Sequence, residues 1–300
     1  MTAIQPSILS RHVGRFRVHA IQTGDLKLDG GAMFGVVPKP LWEKRLAADP
    51  RNRIPMGMRV LLVEHDIGLV LIDSGSGNKD SDKFKDIYGI ENTGAEVDGV
   101  RRTWLEDGLA ALGHRPGDVA LVVNTHLHFD HAGGNTFVDA AGVVRPTFAN
   151  ARYVVQAGEH HYATHTNERT AASYFGVNWD PILATDRFDL IDGDREIVPG
   201  ISVRKTPGHV PHHQSVIVDG GGEIACFLAD VCPTSYHLPL PWIMGYDVEP
   251  LRTLESKRAL FAQMEAERWL AVFEHDATHA WGRVRNDGRS YVLDDETSGP

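Results

Sequence analysis

Residues 125–134 read THLHFDHAGG and follow the apolar run ALVV by only two positions. His126, His128, Asp130 and His131, four groups able to bind a cation, fall within six positions. No other feature constrains the fold as tightly, because the backbone must bring these side chains to a common point. Alternate residues of an extended segment share a face, so His126 and His128 can aim at one point just past a strand end. Asp130 and His131 come as the chain turns, and can face a second point nearby. Imidazole and carboxylate together suit zinc or a similar first-row cation. Gly133 and Gly134 allow a tight turn beside it.

Six positions cannot complete two metal shells, so further ligands are expected at other strand ends. VRKTPGH ends at His209, EIACFLAD at Asp230 and WLAVFEH at His275. His209 has rivals in His212 and His213; it follows a glycine that lets the strand turn, whereas His213 opens the next strand and is expected in a supporting role. His275 competes with His279, and its place directly after LAVFE favours it. Asp73, behind the apolar LVLI, is expected to be buried and to orient a ligand rather than be one. Phe34, Trp42, Trp242 and Tyr246 read equally well as core or as walls of an apolar pocket.

The remaining sequence narrows the class. Net charge is −10, from 30 basic and 40 acidic residues, and no basic stripe is present; a nucleic-acid partner is therefore not expected. No run of about 18 apolar residues exists, so no membrane span is expected. The first residues lack a secretory pattern, which makes the cytoplasm the expected compartment. Cys226 and Cys232, the two cysteines, read as buried small hydrophobes.

Short β-branched runs recur: RFRVHAIQTG, LKLDG, MRVLLVEHDIGLVLIDSG (two strands joined at HDIG), DVALVVNTH, ARYVVQA, RFDLID, EIVPGISVRKTPG, HHQSVIVDGGG, EIACFLAD and RWLAVFEHD. Helices are expected over residues 100–113, with Val100, Trp104, Leu105, Leu109 and Leu112 inward, and over 249–268, with Leu251, Leu254, Leu260, Phe261 and Met264 inward. One mixed α/β domain is expected over residues 1–293, with an N-terminal strand and pocket-lining loop in 1–57. Residues 294–300 read as a frayed acidic tail.

The pattern H-x-H-x-D-H at 126–131, a lone His after TPG, AD at 229–230 and a final His resembles the metallo-β-lactamase superfamily, and LIDSG at 71–75 looks like its early aspartate motif. The resemblance spans nearly the whole chain. GAMFGVVPKPLW, THLHFDHAGG, W-x-M-x-Y-D and FEHDA resemble the quorum-quenching N-acyl-homoserine lactonase branch, with methyl parathion hydrolase-type enzymes as relatives. His212 departs from the family's GH-x-x-GH stretch. The resemblance implies a single-domain, four-layer αββα sandwich and two divalent ions, zinc expected and iron, cobalt or manganese as alternatives. It implies one ion on His126, His128 and His209 and another on Asp130, His131 and His275, with Asp230 bridging.

On this reading a water held between two ions about 3.5–4 Å apart becomes a hydroxide at neutral pH. It would open a lactone ring, with N-acyl-homoserine lactones as the first expected substrate. The alternative keeps the site and hydrolyses an organophosphate triester, an aryl ester or a thioester. Asp130 would hold the hydroxide's proton. Some lactonases of the superfamily place a tyrosine three positions after the bridging Asp, where this chain has Pro233. His237 is then the expected partner of the leaving oxygen, with Tyr236 as its rival. The expected partner is a small hydrophobic ester or lactone, and a homodimer is compatible with the sequence.

Overall fold

The computed structural model describes residues 7–294, which form two compact units, each assembled from separate stretches of chain. The first takes the residues up to His12, Phe16–Asp25 and Met58–Asp192. The second takes Val13–Arg15, Leu26–Gly57 and the chain from Gly193 onward.

In chain order the first eleven strands are β1 (Ile8–Val13), β2 (Phe16–Asp29), β3 (Arg53–His65), β4 (Gly68–Ile72), β5 (Thr93–Val97), β6 (Val100–Thr103), β7 (Val119–Val123), β8 (Thr136–Val138), β9 (Val144–Pro146), β10 (Arg152–Gln156) and β11 (Phe188–Ile191). Seven of them form one sheet in the order β1-β2-β3-β4-β7-β10-β11, while β5–β6 and β8–β9 are separate hairpins. HDIG closes the β3–β4 hairpin, with His65 opposite Gly68. From β4 onward neighbours run parallel: Ile72 lies beside Val123 and Val123 beside Val154. Parallel strands are covered on both faces and so read as unbroken apolar runs, and Val70, Leu71, Val122 and Val123 are fully buried. Their C-terminal ends share one edge, which sets Asp73, the residues after Val123 and the helix Ala157–Thr164 side by side.

The expected helix over 100–113 begins later. Val100–Thr103 is a strand and the helix is Trp104–Ala111. Its start is fixed by a reciprocal cap in which Glu106 accepts the Thr103 amide at 2.9 Å and the Thr103 side chain takes the Glu106 amide. The local cap outweighs the apolar periodicity at Val100.

The second unit carries β12 (Arg195–Val198), β13 (Ile201–Lys205), β14 (Gln214–Asp219), β15 (Ile224–Phe227), β16 (Leu270–Val272), β17 (Trp281–Asn286) and β18 (Tyr291–Asp294), adjacent in that order. The last two follow the strand at which the sequence pattern stopped, and Asp294 ends β18 instead of opening a tail; residues 295–300 lie outside the described residues. Because β13–β14 and β14–β15 are antiparallel and β15–β16 is parallel, β13, β15 and β16 all point the same way. Their C-terminal ends deliver His209, Asp230 and His275.

The helix Pro250–Ala266 packs Leu260, Phe261 and Met264 with Cys226, Leu228, Trp269 and Phe273. Leu251, expected inward, is 76% exposed, and Leu254 is half-buried. Thr253 and Lys257 take the buried face in their place. Both cysteines are free and fully buried, as the sequence suggested; burial pushes each thiol up to about 12. Among the described residues no helix is long and apolar enough to cross a membrane.

Candidate metal centre

In the first unit the chain leaves β7 and passes His126 and then His128, whose backbone is extended. It then turns into the one-turn helix Phe129–Ala132, which carries Asp130 and His131. His126, Asp130 and His131 are buried and His128 is half-buried. The ring centres of His126 lie 4.4 Å from His128 and 3.9 Å from His131.

Asp73 organises this cluster, as expected of a buried carboxylate. It accepts the Thr125 amide at 2.8 Å, the Thr125 hydroxyl at 2.7 Å and the His131 Nδ1–H at 3.0 Å. The Thr125 hydroxyl hydrogen is thereby committed, so its oxygen accepts from His126 Nδ1 at 3.1 Å. One carboxylate fixes the tautomer of two imidazoles and leaves both Nε2 lone pairs as ligands. Asp73 holds a left-handed backbone, φ 56°, a cost of about 1–3 kcal/mol that these three hydrogen bonds offset.

Glu159 carries no signal in the sequence pattern. Fully buried, it accepts the Leu127 amide at 3.0 Å and the Tyr174 hydroxyl at 2.9 Å. It pins the backbone between His126 and His128, and the Tyr174 ring lies 4.6 Å from that of His128. Gly134 is needed for contact: a Cβ there would stand 2.2 Å from the Ser74 carbonyl oxygen.

In the second unit His209, Asp230 and His275 converge, all buried. Asp230 Oδ2 lies 3.0 Å from His209 Nε2, and Asp230 Oδ1 lies 3.2 Å from His275 Nε2. The far nitrogens are committed. His275 Nδ1 donates to the Gly57 carbonyl at 2.8 Å, and His209 Nδ1 donates to Asp247 at 2.9 Å. In neutral imidazoles each Nε2 then offers a lone pair to a carboxylate oxygen. Two acceptors face each other twice, and each contact calls for a positive centre, a proton or a metal ion. Imidazole and carboxylate donors of this kind are those that zinc-like cations take.

The rivals fall elsewhere. His213 donates through Nδ1 to Thr206 at 2.8 Å and accepts the Asp230 amide on Nε2 at 3.2 Å, so it holds the backbone of Asp230. His279 faces Asp276, with its amide 2.7 Å from Oδ1. His212 is half-buried, on the loop between His209 and His213. Gly208, φ 143°, lets Thr253 come close; a Cβ would lie 2.2 Å from the Thr253 amide nitrogen. Thr253 in turn donates to Asp247 at 2.6 Å and so steadies His209.

His237 is wholly enclosed. Its Nε2–H donates to the Met33 carbonyl at 2.9 Å, and Nδ1 pairs with the Thr234 hydroxyl at 2.7 Å. Burial pushes its pKa down to about 4. The ring stacks on Phe34 at 4.8 Å, Phe34 stacks on Trp42 at 5.3 Å, and Trp242 meets Phe34 edge-on at 5.5 Å. Phe34 and Trp42 are therefore core, whereas Trp242 is half-buried and Tyr246 is 39% exposed. A neutral imidazole with both nitrogens engaged has no proton to give a leaving oxygen, so this geometry speaks against the expected role of His237. Tyr236, its rival, is half-buried with its amide hydrogen-bonded to the Thr234 hydroxyl at 3.2 Å.

The model of the metallo-β-lactamase superfamily matches residues 59–275. This chain belongs to that superfamily. It is a metal-dependent hydrolase with the metallo-β-lactamase fold, mixed α/β with sheets flanked by helices, and that single fold takes in both compact units. It is 27% identical over 237 residues to an N-acyl homoserine lactonase of Bacillus cereus, covering 76% of this chain and 84% of the relative. A probable metal-dependent hydrolase from Staphylococcus aureus superposes with TM-score 0.84 at 30% identity, covering 95% of this chain and 99% of that one. The dizinc quorum-quenching lactonase AidC, solved with the product N-hexanoyl-L-homoserine, shares the fold at TM-score 0.79 and 17% identity, covering 98% and 99%.

Proposed function

We propose that this superfamily member holds two divalent ions and opens lactone rings, N-acyl-homoserine lactones first. The observation that carries the reading is Asp230, whose two oxygens each face an imidazole Nε2 with its Nδ1 already committed. The chain offers five imidazoles and two carboxylates, His126, His128, Asp130, His131, His209, Asp230 and His275, the complement two cations require. The curated lactonase relatives support the choice of substrate.

Bound divalent ions would supply hydroxide at neutral pH and a Lewis acid for the carbonyl oxygen. The chain supplies the rest. Asp73 and Thr125 keep His126 and His131 in the ligating tautomer, and Asp247 does the same for His209. Asp130, 7% exposed, is proposed to hold and pass on a proton. With His237 neutral and engaged, Tyr236 is proposed to steady the leaving oxygen. Trp242 and Tyr246, the two of Phe34, Trp42, Trp242 and Tyr246 that keep exposed surface, are proposed to contact the acyl chain.

The test is a panel of lactones, phosphotriesters, thioesters and β-lactams, ranked by kcat/KM on protein of measured metal content. Lactones are expected at the top, with Tyr236→Phe lowering kcat by about 10²-fold or more at unchanged metal content. Robust triester turnover without lactone turnover would sink the reading. An unchanged kcat in Tyr236→Phe would remove only the role given to the phenol.

A further inference from the structure

Lys257 is a lysine only 1% exposed, on the buried face of the helix Pro250–Ala266. No carboxylate pairs with it among the ion pairs of the described residues. Its three Nζ hydrogens face four backbone carbonyls, so that one is shared: His237 at 2.6 Å, Trp242 at 2.8 Å, Pro239 at 3.1 Å and Leu240 at 3.4 Å. Taking an ammonium out of water costs several kcal/mol, which only a replacement shell of oxygens can offset. The six residues 237–242, HLPLPW, supply that shell. Pro239 and Pro241 have no N–H, so this stretch cannot join a regular ladder; the Trp242 amide donates to the Pro239 carbonyl at 2.9 Å, and the other carbonyls need a partner from elsewhere.

What the segment carries gives the contact its consequence. His237 stacks on Phe34 and holds the Met33 carbonyl; Trp242 meets Phe34 edge-on and lies under the Arg45 guanidinium at 4.4 Å. Gly245 donates to the Ala32 carbonyl at 2.7 Å. One turn earlier on the same helix face, Thr253 holds Asp247 and through it His209. The helix thus serves a ligand through Thr253 and an aromatic arm through Lys257.

We propose that Lys257 is a positioning residue: its ammonium, seated on the carbonyls of His237, Pro239, Leu240 and Trp242, fixes this segment and with it the arm Met33–Arg45, and so sets how tightly an acyl substrate is held. Only the last clause rests on the lactonase reading.

Hydrogen exchange followed by mass spectrometry on the full-length, metal-loaded protein tests it. In wild type, peptides over residues 234–242 should be protected like core strands; exchange at loop rates would overturn the proposal outright. Lys257→Met should keep its metal, lose about 100-fold of that protection and keep protection elsewhere. On whichever ester the enzyme turns over, KM should rise about 10-fold with kcat within about 3-fold. Lys257→Gln, which keeps two donors, should fall between. Wild-type protection and KM in Lys257→Met would refute the role.

Should neither variant fold, wild type decides. Burial lowers the Lys257 pKa to about 8, with Cys232, Asp247 and His237 as the titratable groups facing it; burial pushes the Cys232 thiol up to about 12 and the His237 imidazole down to about 4, so both are outside the window. Corrected protection of residues 234–242 should then fall between about pH 7 and 9.5, and a flat profile would overturn the proposal. A chain that shows these exchange effects but no lactone turnover keeps the clamp and loses the substrate assignment.

Discussion

The two units reach the same end, imidazoles with their Nε2 lone pairs presented, by opposite means. In the first, four donors lie within six residues of one loop, and a single carboxylate, Asp73, orients two of them. In the second, His209, Asp230 and His275 come from three strands, and each is held by its own partner: Asp247 for His209, His213 for the Asp230 backbone, Gly57 for His275. Both pay a local backbone cost beside the donors, at Asp73 (φ 56°) and at Ala229 (φ 47°). The difference teaches where each half is vulnerable. The loop concentrates its risk in one buried carboxylate, whereas the strand-end set spreads it over the register of a sheet.

The largest expected effect comes from the residue that touches two imidazoles at once. Asp230→Ala should take metal content from about two ions per chain to one or fewer and lower turnover by about 10³-fold or more. Elemental analysis beside steady-state rates checks this, and a variant still holding two ions would break the reading of the second unit. His279→Ala should leave metal and rate unchanged. If it emptied the protein of an ion, His275 would not be the last donor.

Orientation comes next. Removing a partner behind a ligating histidine costs about 10–100-fold in metal affinity. Asp73→Asn, which serves His126 and His131, should lie at the upper end, and Asp247→Asn, which serves His209 alone, at the lower. Competition with a chromophoric chelator measures both. Equal losses would remove the contrast between one shared orienter and several private ones.

A pH test separates the loop further. Lys79 is half-buried, donates to the Gly133 and Thr136 carbonyls at 2.6 Å each, and desolvation lowers its pKa to about 8. Between that value and the unfolded value near 10.5 the unfolded chain binds the extra proton, so this group's contribution to stability rises with pH in that window and is least below it. Urea unfolding of wild type and Lys79→Met should therefore show a difference that shifts towards wild type by about 2 kcal/mol from pH 8 to 10. A constant difference would mean that Lys79 keeps its proton throughout.

The smallest effect is expected at Ala229→Gly. Relief of the left-handed backbone should stabilise the protein, offset in part by the extra freedom of glycine in the unfolded chain, for a net gain of at most about 1 kcal/mol. Loss of stability with unchanged metal content would show that the Ala229 methyl packs more than it strains.

Much of the site was readable because its signals are local. THLHFDHAGG places four donors by chain geometry alone, and residues 209, 230 and 275 each follow an apolar run. Position after LAVFE favours His275 over His279, a choice that the His279→Ala variant tests, and burial behind LVLI pointed to Asp73 as an orienting carboxylate, which accepts from Thr125 and His131. Glu159 was invisible, since a glutamate in AGEHHYAT reads as an ordinary exposed helix residue. Lys257 and Thr253 were worse than invisible. Apolar periodicity turned Leu251 inward, although it is 76% exposed, because two polar residues of the helix are buried for the sake of the chain they hold. The cap at Thr103 shifted the other helix for a comparable reason: a side-chain hydrogen bond to the backbone outranked the pattern.

The sequence by itself determined the chemistry of the donors, their tie to strand ends and the family, because ligand type and strand period are properties of neighbouring residues. Only the tertiary structure decided the protonation roles. Whether an imidazole offers a lone pair, holds a backbone or stacks in a core depends on what its second nitrogen meets. Those partners lie far away in the chain: Asp73 is 58 residues from His131, Asp247 is 38 from His209, and Met33 is 204 from His237. No local pattern encodes such contacts, and for that reason His237 could be expected at the chemistry and is found with both nitrogens engaged in the core.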